Sequence, residues 1–168
     1  MATDCITQVT FQGDGFAKPI VARFDQPQAS TDGGLVLVKA LDTQLGLTER
    51  VAACLDDARE PGKVRHETIE LLQQRVFGLC GGYADCNDAA RLVHDPIHKL
   101  MVGRDPLTGL GLASQPTLSR FENAVNAREL RAMTHVLADT VIAQQPEREA
   151  PARGRRLGLS PGTEPTAR

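Results

Sequence analysis

The sequence predicts a mainly α protein: a short β segment within residues 1–33, a helical body over residues 34–145 and a disordered tail over residues 146–168. Three observations carry this expectation. Leucines, valines and isoleucines recur at helical spacing through the middle of the chain. Capping residues and Gly or Pro breaks divide that region into short helices. The last segment, PEREAPARGRRLGLSPGTEPTAR, holds four prolines, three glycines and five arginines without a helical stripe, so it buries too little surface to offset its ordering entropy. At 168 residues the default is one domain. Its 41% hydrophobic content suffices for a core, and with no Trp and one Tyr that core is aliphatic.

The elements follow in order. Ile6, Val9 and Phe11, a Gly13-Asp14-Gly15 turn signal and the run Ile20–Phe24 predict two short strands. An isolated ribbon of two strands is marginal in water, so it must rest on the helical body or on a further sheet. From Gly34 the chain turns helical: Thr31 or Asp32 can cap, and Leu35, Val38, Leu41 and Leu45 form a stripe ended by a left-handed Gly46. Thr48 can cap a helix over Glu49–Leu55, and Pro61-Gly62 breaks the chain. A longer helix between His66 and Cys80 has a stripe of Ile69, Leu72, Val76 and Leu79, with Glu70, Gln73 and Gln74 outside it, and Gly81-Gly82 stops it. Asp85 caps Asn87–His94; Asp95 caps a helix that starts at Pro96 and ends near Met101; Asp105–Gly111 is a turn-rich loop. Asn126 caps the last helix, whose core stripe is Leu130, Met133 or Thr134, Leu137 and Val141.

The segment ASQPTLSRFENAVN, Ala113–Asn126, is a short helix built to be presented. Ser114 is a good N-cap, Pro116 falls near the first helical position, and Leu118, Phe121 and Val125 seat one face. Gln115, Thr117, Ser119, Arg120 and Asn123 remain on the other faces. These side chains suit DNA: short donors for phosphate, Arg for guanine, Asn or Gln for adenine. A recognition helix of a helix-turn-helix has this character, and an ordinary amphipathic surface helix has it too. Arg128 and Arg131 lie close by as phosphate contacts. The net charge of −2 opposes strong DNA binding unless the basic residues share one face.

The runs FDQPQASTDGGLVLVKALDTQLGLTERVAACL, VRHETIELLQQRVFGLCGGYADCNDAARLVHDPIHKLMVGR and LASQPTLSRFENAVN resemble the DDE transposases of bacterial insertion sequences, specifically the group called IS thirteen-eighty. The resemblance covers about Phe11 to Gln145, the amino-terminal third of such a protein. It implies DNA strand transfer by an RNase H-like core with two metal ions, Mg2+ in the full-length family, held by three carboxylates downstream of the part seen here. It implies DNA, the terminal inverted repeats of an element, as partner, with the chain itself or a full-length transposase as a further partner. The tail does not match the basic linker and catalytic strand of the family, and a frameshift or premature junction is the expectation there.

No cofactor or metal site is expected in this chain. Asp85 and Asp88, one helical turn apart, are better explained as a cap and an early-turn charge, and Asp32 in TDGG as a turn and cap residue. His94 and His98 are four apart, but Pro96 starts a new helix between them, which leaves exposed or partly packed histidines on a linker. Cys80 and Cys86 do not have zinc spacing, and Cys5, Cys54, Cys80 and Cys86 read as reduced thiols. Serine-nucleophile and phosphate-loop motifs are absent from the sequence. The amino terminus lacks the basic and apolar regions of a secretory signal, so a cytoplasmic, nucleoid-associated protein is expected. Two functions remain: a DNA-binding module without catalytic activity, or a helical interaction module whose Leu35–Leu45 and Leu130–Val141 faces meet a partner. A transposase remnant is the third possibility.

Overall fold

The computed structural model describes residues 8–12, 16–23 and 29–145. The Gly13-Asp14-Gly15 turn, Ile6, Phe24 and the tail expectation lie outside these residues. The described chain is mainly α. Strands β1 (Gln8–Phe11) and β2 (Ile20–Arg23) pair antiparallel, Gln8 opposite Arg23 and Phe11 opposite Ile20. Seven helices follow: α1 (Leu35–Leu45), α2 (Leu47–Ala52), α3 (Thr68–Cys80), α4 (Ala89–Leu92), α5 (Pro96–Met101), α6 (Gln115–Ala124) and α7 (Ala127–Ala143). Single 3-10 turns occupy Pro61–Lys63 and Cys86–Asp88. The ribbon does rest on the helical body: Phe16 and Ile20 pack against Leu35, Val36, Phe77 and Met101.

Helix α3 is the centre of the fold. One side, through Phe77, meets α1 and α5. Another, through Leu71, meets Ala89 of α4, Ala113 of the connection before α6 and Leu118 of α6. This explains why the single stripe expected for α3 is only part of its inward side. Leu72 is buried and Ile69 and Val76 are half-buried as expected, but Leu79 is exposed, and Leu71, Phe77, Gln73 and Gln74 are buried as well. A helix with neighbours on several sides buries a wide arc, and its polar members must then find partners. Gln73 Nε2 donates to Thr48 Oγ1 at 3.1 Å, and Gln74 bonds the backbone of Ala113.

Several helix ends are also built differently from the expectation. Thr31 and Asp32 do not cap α1; Gly34 occupies the cap position without a side-chain bond. The first amides of α1 reach backbone carbonyls instead, Leu35 N to Asp32 O at 2.9 Å and Val36 N to Gly33 O at 3.3 Å. Thr48 does not cap α2 but lies in its first turn, where Asp42 of α1 accepts from its amide (2.9 Å) and hydroxyl (2.7 Å). Gly46 separates the two helices at φ 61°, the left-handed conformation expected of it. Asp85, Asp95 and Asn126 cap as expected: Asp95 accepts from the amides of Ile97 and His98, and Asn126 forms a capping box with Glu129.

Two corrections bear on function. His98 is not a linker histidine: it is 1% exposed, and its Nε2 lies 2.9 Å from Asp32 Oδ2, which also accepts from the Tyr83 hydroxyl at 2.8 Å. The expected core stripe of α7 points outward. Leu130, Leu137 and Val141 are exposed, and the buried residues are Glu129 and Thr140. Glu129 Oε1 accepts from the Asp56 amide at 2.9 Å and Thr140 Oγ1 from Arg50 at 2.9 Å, so polar contacts tie α7 to α2 and to the segment after it.

This wiring makes the fold acid-sensitive. Burial would raise the Asp32 carboxyl, but hydrogen bonds from Tyr83, His98 and Thr31 outweigh it and hold it below its ordinary 3.8. Bonds from Arg59 and Thr68 lower Asp57, and backbone amides lower Asp105 and Glu129. His66 is lowered from 6.5, first by burial and then by the Arg104 charge. A base or an acid with a depressed folded pKa stabilises above its unfolded value, and that stability is lost as pH falls. The melting temperature is therefore expected to drop below pH 6.5 through His66 and to drop further below about pH 4.5 through Glu129 and below pH 3.8 through the aspartates. A melting temperature unchanged on acidification, followed by circular dichroism, would contradict this.

Candidate nucleic-acid interface

The presented helix, α6, is fixed at its start and along one face. Residues 102–114 lead into it from α5, a longer connection than the three- or four-residue turn of a helix-turn-helix. The end of that connection is held firmly. Ala113 is completely buried, donates its amide to Gln74 Oε1 at 3.0 Å and accepts from Gln74 Nε2 at 2.9 Å. The amide of Leu112 reaches the Val93 carbonyl at 3.0 Å. Arg104, paired with Glu70 at 2.9 Å, donates to the carbonyls of Leu110 and Gly111.

Along the helix, Leu118 enters the cluster of Leu71, Ala89 and Ala113, and Phe121 packs beside it. Glu122 pairs with Arg75 of α3, whose guanidinium also donates to the carbonyls of Tyr83 and Ala84. Cys86 Sγ donates to the other Glu122 oxygen at 3.1 Å; burial, then this carboxylate, pushes the thiol pKa up, so it is a weak nucleophile. Ser114 does stand at the cap position, but its hydroxyl does not accept from a helix amide. It pairs with the Thr117 hydroxyl at 3.1 Å.

The five α6 candidates separate by position. Arg120 and Asn123 are exposed, one turn apart on the outward face. Gln115, Thr117 and Ser119 are half-buried at its borders. The Asn123 amide folds back onto its own helix, donating to the Ser119 carbonyl at 2.8 Å, and must leave it to reach a base. Arg128 and Arg131 are exposed in the first turns of α7, which begins after only Val125 and Asn126. Among the described residues none of these three arginines forms an ion pair.

Sequence reasoning missed Gln74, Arg75 and Arg104, the residues that hold α6 in place. Phe77, which falls outside the α3 stripe, was the available signal that α3 has a second buried face and that Gln74 lies within it.

A family model described as transposase DDE domain group 1 matches residues 12–151. This chain belongs to the DDE transposase family. No curated protein and no solved structure matches it. The function of this transposase-family chain is accordingly transposase-related, and DNA is the partner that the family implies. Among the described residues of this DDE transposase chain, no three His, Cys, Asp or Glu side chains gather where they could hold a metal ion. Asp88 lies 3.9 Å from Arg91, and Asp85 binds the Asn87 amide. These residues do not fit a two-ion carboxylate site, and no strand-transfer step is assigned to them. No helix among them is long and apolar enough to cross a membrane.

Proposed function

We propose that this chain is a DNA-binding amino-terminal part of an insertion-sequence transposase of the IS thirteen-eighty group. It holds the terminal inverted repeats of its element through α6 and does not cut them by itself. The observation that carries this is the mounting of α6: start and inner face are fixed by Gln74, Leu118 and the Arg75–Glu122 pair, while Arg120 and Asn123 face outward. Arg120 reads a base edge; Arg128 and Arg131 contact phosphates beside it. Binding needs no cofactor; Mg2+ belongs to the strand transfer of a complete family member. The setting of such binding is the bacterial nucleoid in the cytoplasm, with full-length transposase as a competitor or partner on the same ends.

Fluorescence anisotropy with a duplex of the element's end, against a scrambled duplex, tests this reading. Arg120→Ala is expected to weaken binding by about 1–3 kcal/mol, roughly 5- to 150-fold, and to narrow the preference for the end sequence. Arg128→Ala is expected to weaken both duplexes alike and to make the salt dependence shallower by about one unit of slope. Equal affinity of wild type and Arg120→Ala removes Arg120 from the interface. Mg2+-dependent cleavage of the duplex refutes the non-cutting part.

A further inference from the structure

Arg104 ties the connection into α6 to the start of α3, and every N–H of its guanidinium is committed. Nε donates to Glu70 Oε1 at 3.0 Å, and Nη2 donates to Glu70 Oε2 and to His66 Nδ1, both at 2.9 Å. Nη1 donates to the carbonyls of Leu110 and Gly111. Arginine has donors only, so His66 Nδ1 must be the acceptor, and the neutral imidazole carries its proton on Nε2. Other charges crowd the same place. Arg59 donates to the His66 carbonyl at 2.9 Å and pairs with Asp57, and exposed Arg65 precedes His66 in the chain. Glu70 already serves both Arg104 and the amide of Glu67. Burial first and the Arg104 charge next hold the His66 pKa below its ordinary 6.5; Arg65 and Arg59 reinforce this and Glu70 opposes it.

We infer that His66 is a proton-sensitive positioning residue for α6, acting through Arg104. Neutral, it accepts from the guanidinium and the mount is closed. Protonated on Nδ1, it meets the same guanidinium donor to donor and charge to charge, and Arg104 leaves the carbonyls of Leu110 and Gly111. Those carbonyls lie just before buried Ala113 and the start of α6 at Gln115, so the entry to the helix loosens. The consequence for DNA rests on the function proposed above: a loosened α6 presents Arg120 less well, and affinity for the end duplex falls on acidification. The sign is informative, because a proton gained by an exposed histidine such as His94 or His135 would strengthen phosphate binding instead.

Two-dimensional NMR of the full chain without DNA is the experiment, from about pH 7.5 to about pH 5.5, a window that brackets the ordinary histidine value. The His66 imidazole and the amides of Gly111 and Leu112, whose peptide carbonyls Arg104 holds, are expected to titrate together with a midpoint below 6.5. His66→Asn puts an acceptor oxygen where Nδ1 stands and takes up no proton, so these amides should stay constant. His66→Ala offers no acceptor, and its amides should already be shifted at the neutral end. Anisotropy on the end duplex is the second readout. Wild type and His66→Asn should bind alike at the neutral end, and wild type should bind roughly fivefold more weakly than His66→Asn at the acid end, the lower limit of ordinary coupling between sites. Amides that do not follow the His66 imidazole, or that move equally in His66→Asn, overturn the inference. So does an end affinity with the same pH dependence in both proteins. Wild type that binds no end duplex at either pH refutes the DNA reading, and the NMR titration alone then decides the role of His66.

Discussion

Replacing Gln74 with Met is expected to lower the unfolding free energy by roughly 2–4 kcal/mol, because two buried backbone groups lose their partner at once. The amide and the carbonyl of Ala113 both bond the Gln74 side chain, and Ala113 is completely buried. Water cannot replace the lost bonds without opening the core. Met matches Gln closely in length and volume, so cavity formation contributes little and the measured loss reports the hydrogen bonds. Urea denaturation gives the magnitude. Hydrogen exchange gives the location: the bonded amides of Ala113, Thr117 and Leu118 should lose protection before the rest of the body. Gln73→Met, which removes one side-chain bond to Thr48, is the comparison and should cost about 1 kcal/mol. If both variants lose equally little, the Gln74 clamp does not hold α6.

The same clamp marks where the sequence was legible and where it was not. Local signals worked at helix ends with a short capping side chain: Asp95 before Pro96, Asn126 before α7 and Gly46 at φ 61° are where pattern reasoning placed them. The ribbon was legible for the same reason, through two short apolar runs that pair as neighbours. Failures began wherever a side chain reached across the sequence. Asp32 looked like a local cap because its partners, Tyr83 and His98, lie 51 and 66 positions further along the sequence. Gln73 and Gln74 looked solvent-facing because one stripe was assumed for a helix that several others surround. The stripe of α7 was identified correctly as apolar, but periodicity alone did not decide between a core face and an outward one, and the structure leaves Leu130, Leu137 and Val141 exposed. For the candidate site, residue types were legible and their use was not: Arg120 and Asn123 face outward, whereas Gln115, Thr117 and Ser119 sit at the borders of the face.

Asp32→Ala is expected to cost about 2–4 kcal/mol, since it leaves two buried or half-buried donors without an acceptor. One is the ring nitrogen of His98, which is 1% exposed; the other is the Tyr83 hydroxyl, whose ring meets the imidazole edge-on at 5.4 Å between centroids. Through these bonds Asp32 ties the turn before α1 to the end of α3 and to α5, three elements that share the Phe77 and Met101 core. Asp32→Asn is expected to lose less than Asp32→Ala. Tyr83 and His98 converge on the same oxygen, Oδ2, and an amide oxygen in that position still accepts from both, through bonds weaker than those to a carboxylate. The pH dependence separates this account from a simple packing loss. The carboxylate of Asp32 is held below 3.8 in the folded chain, so wild type gains stability as that group ionises. Both variants lack the group, and their deficit relative to wild type should shrink on acidification below pH 3.8. A deficit that stays constant from neutral to acid pH would mean that Asp32 acts through its shape and not through its charge.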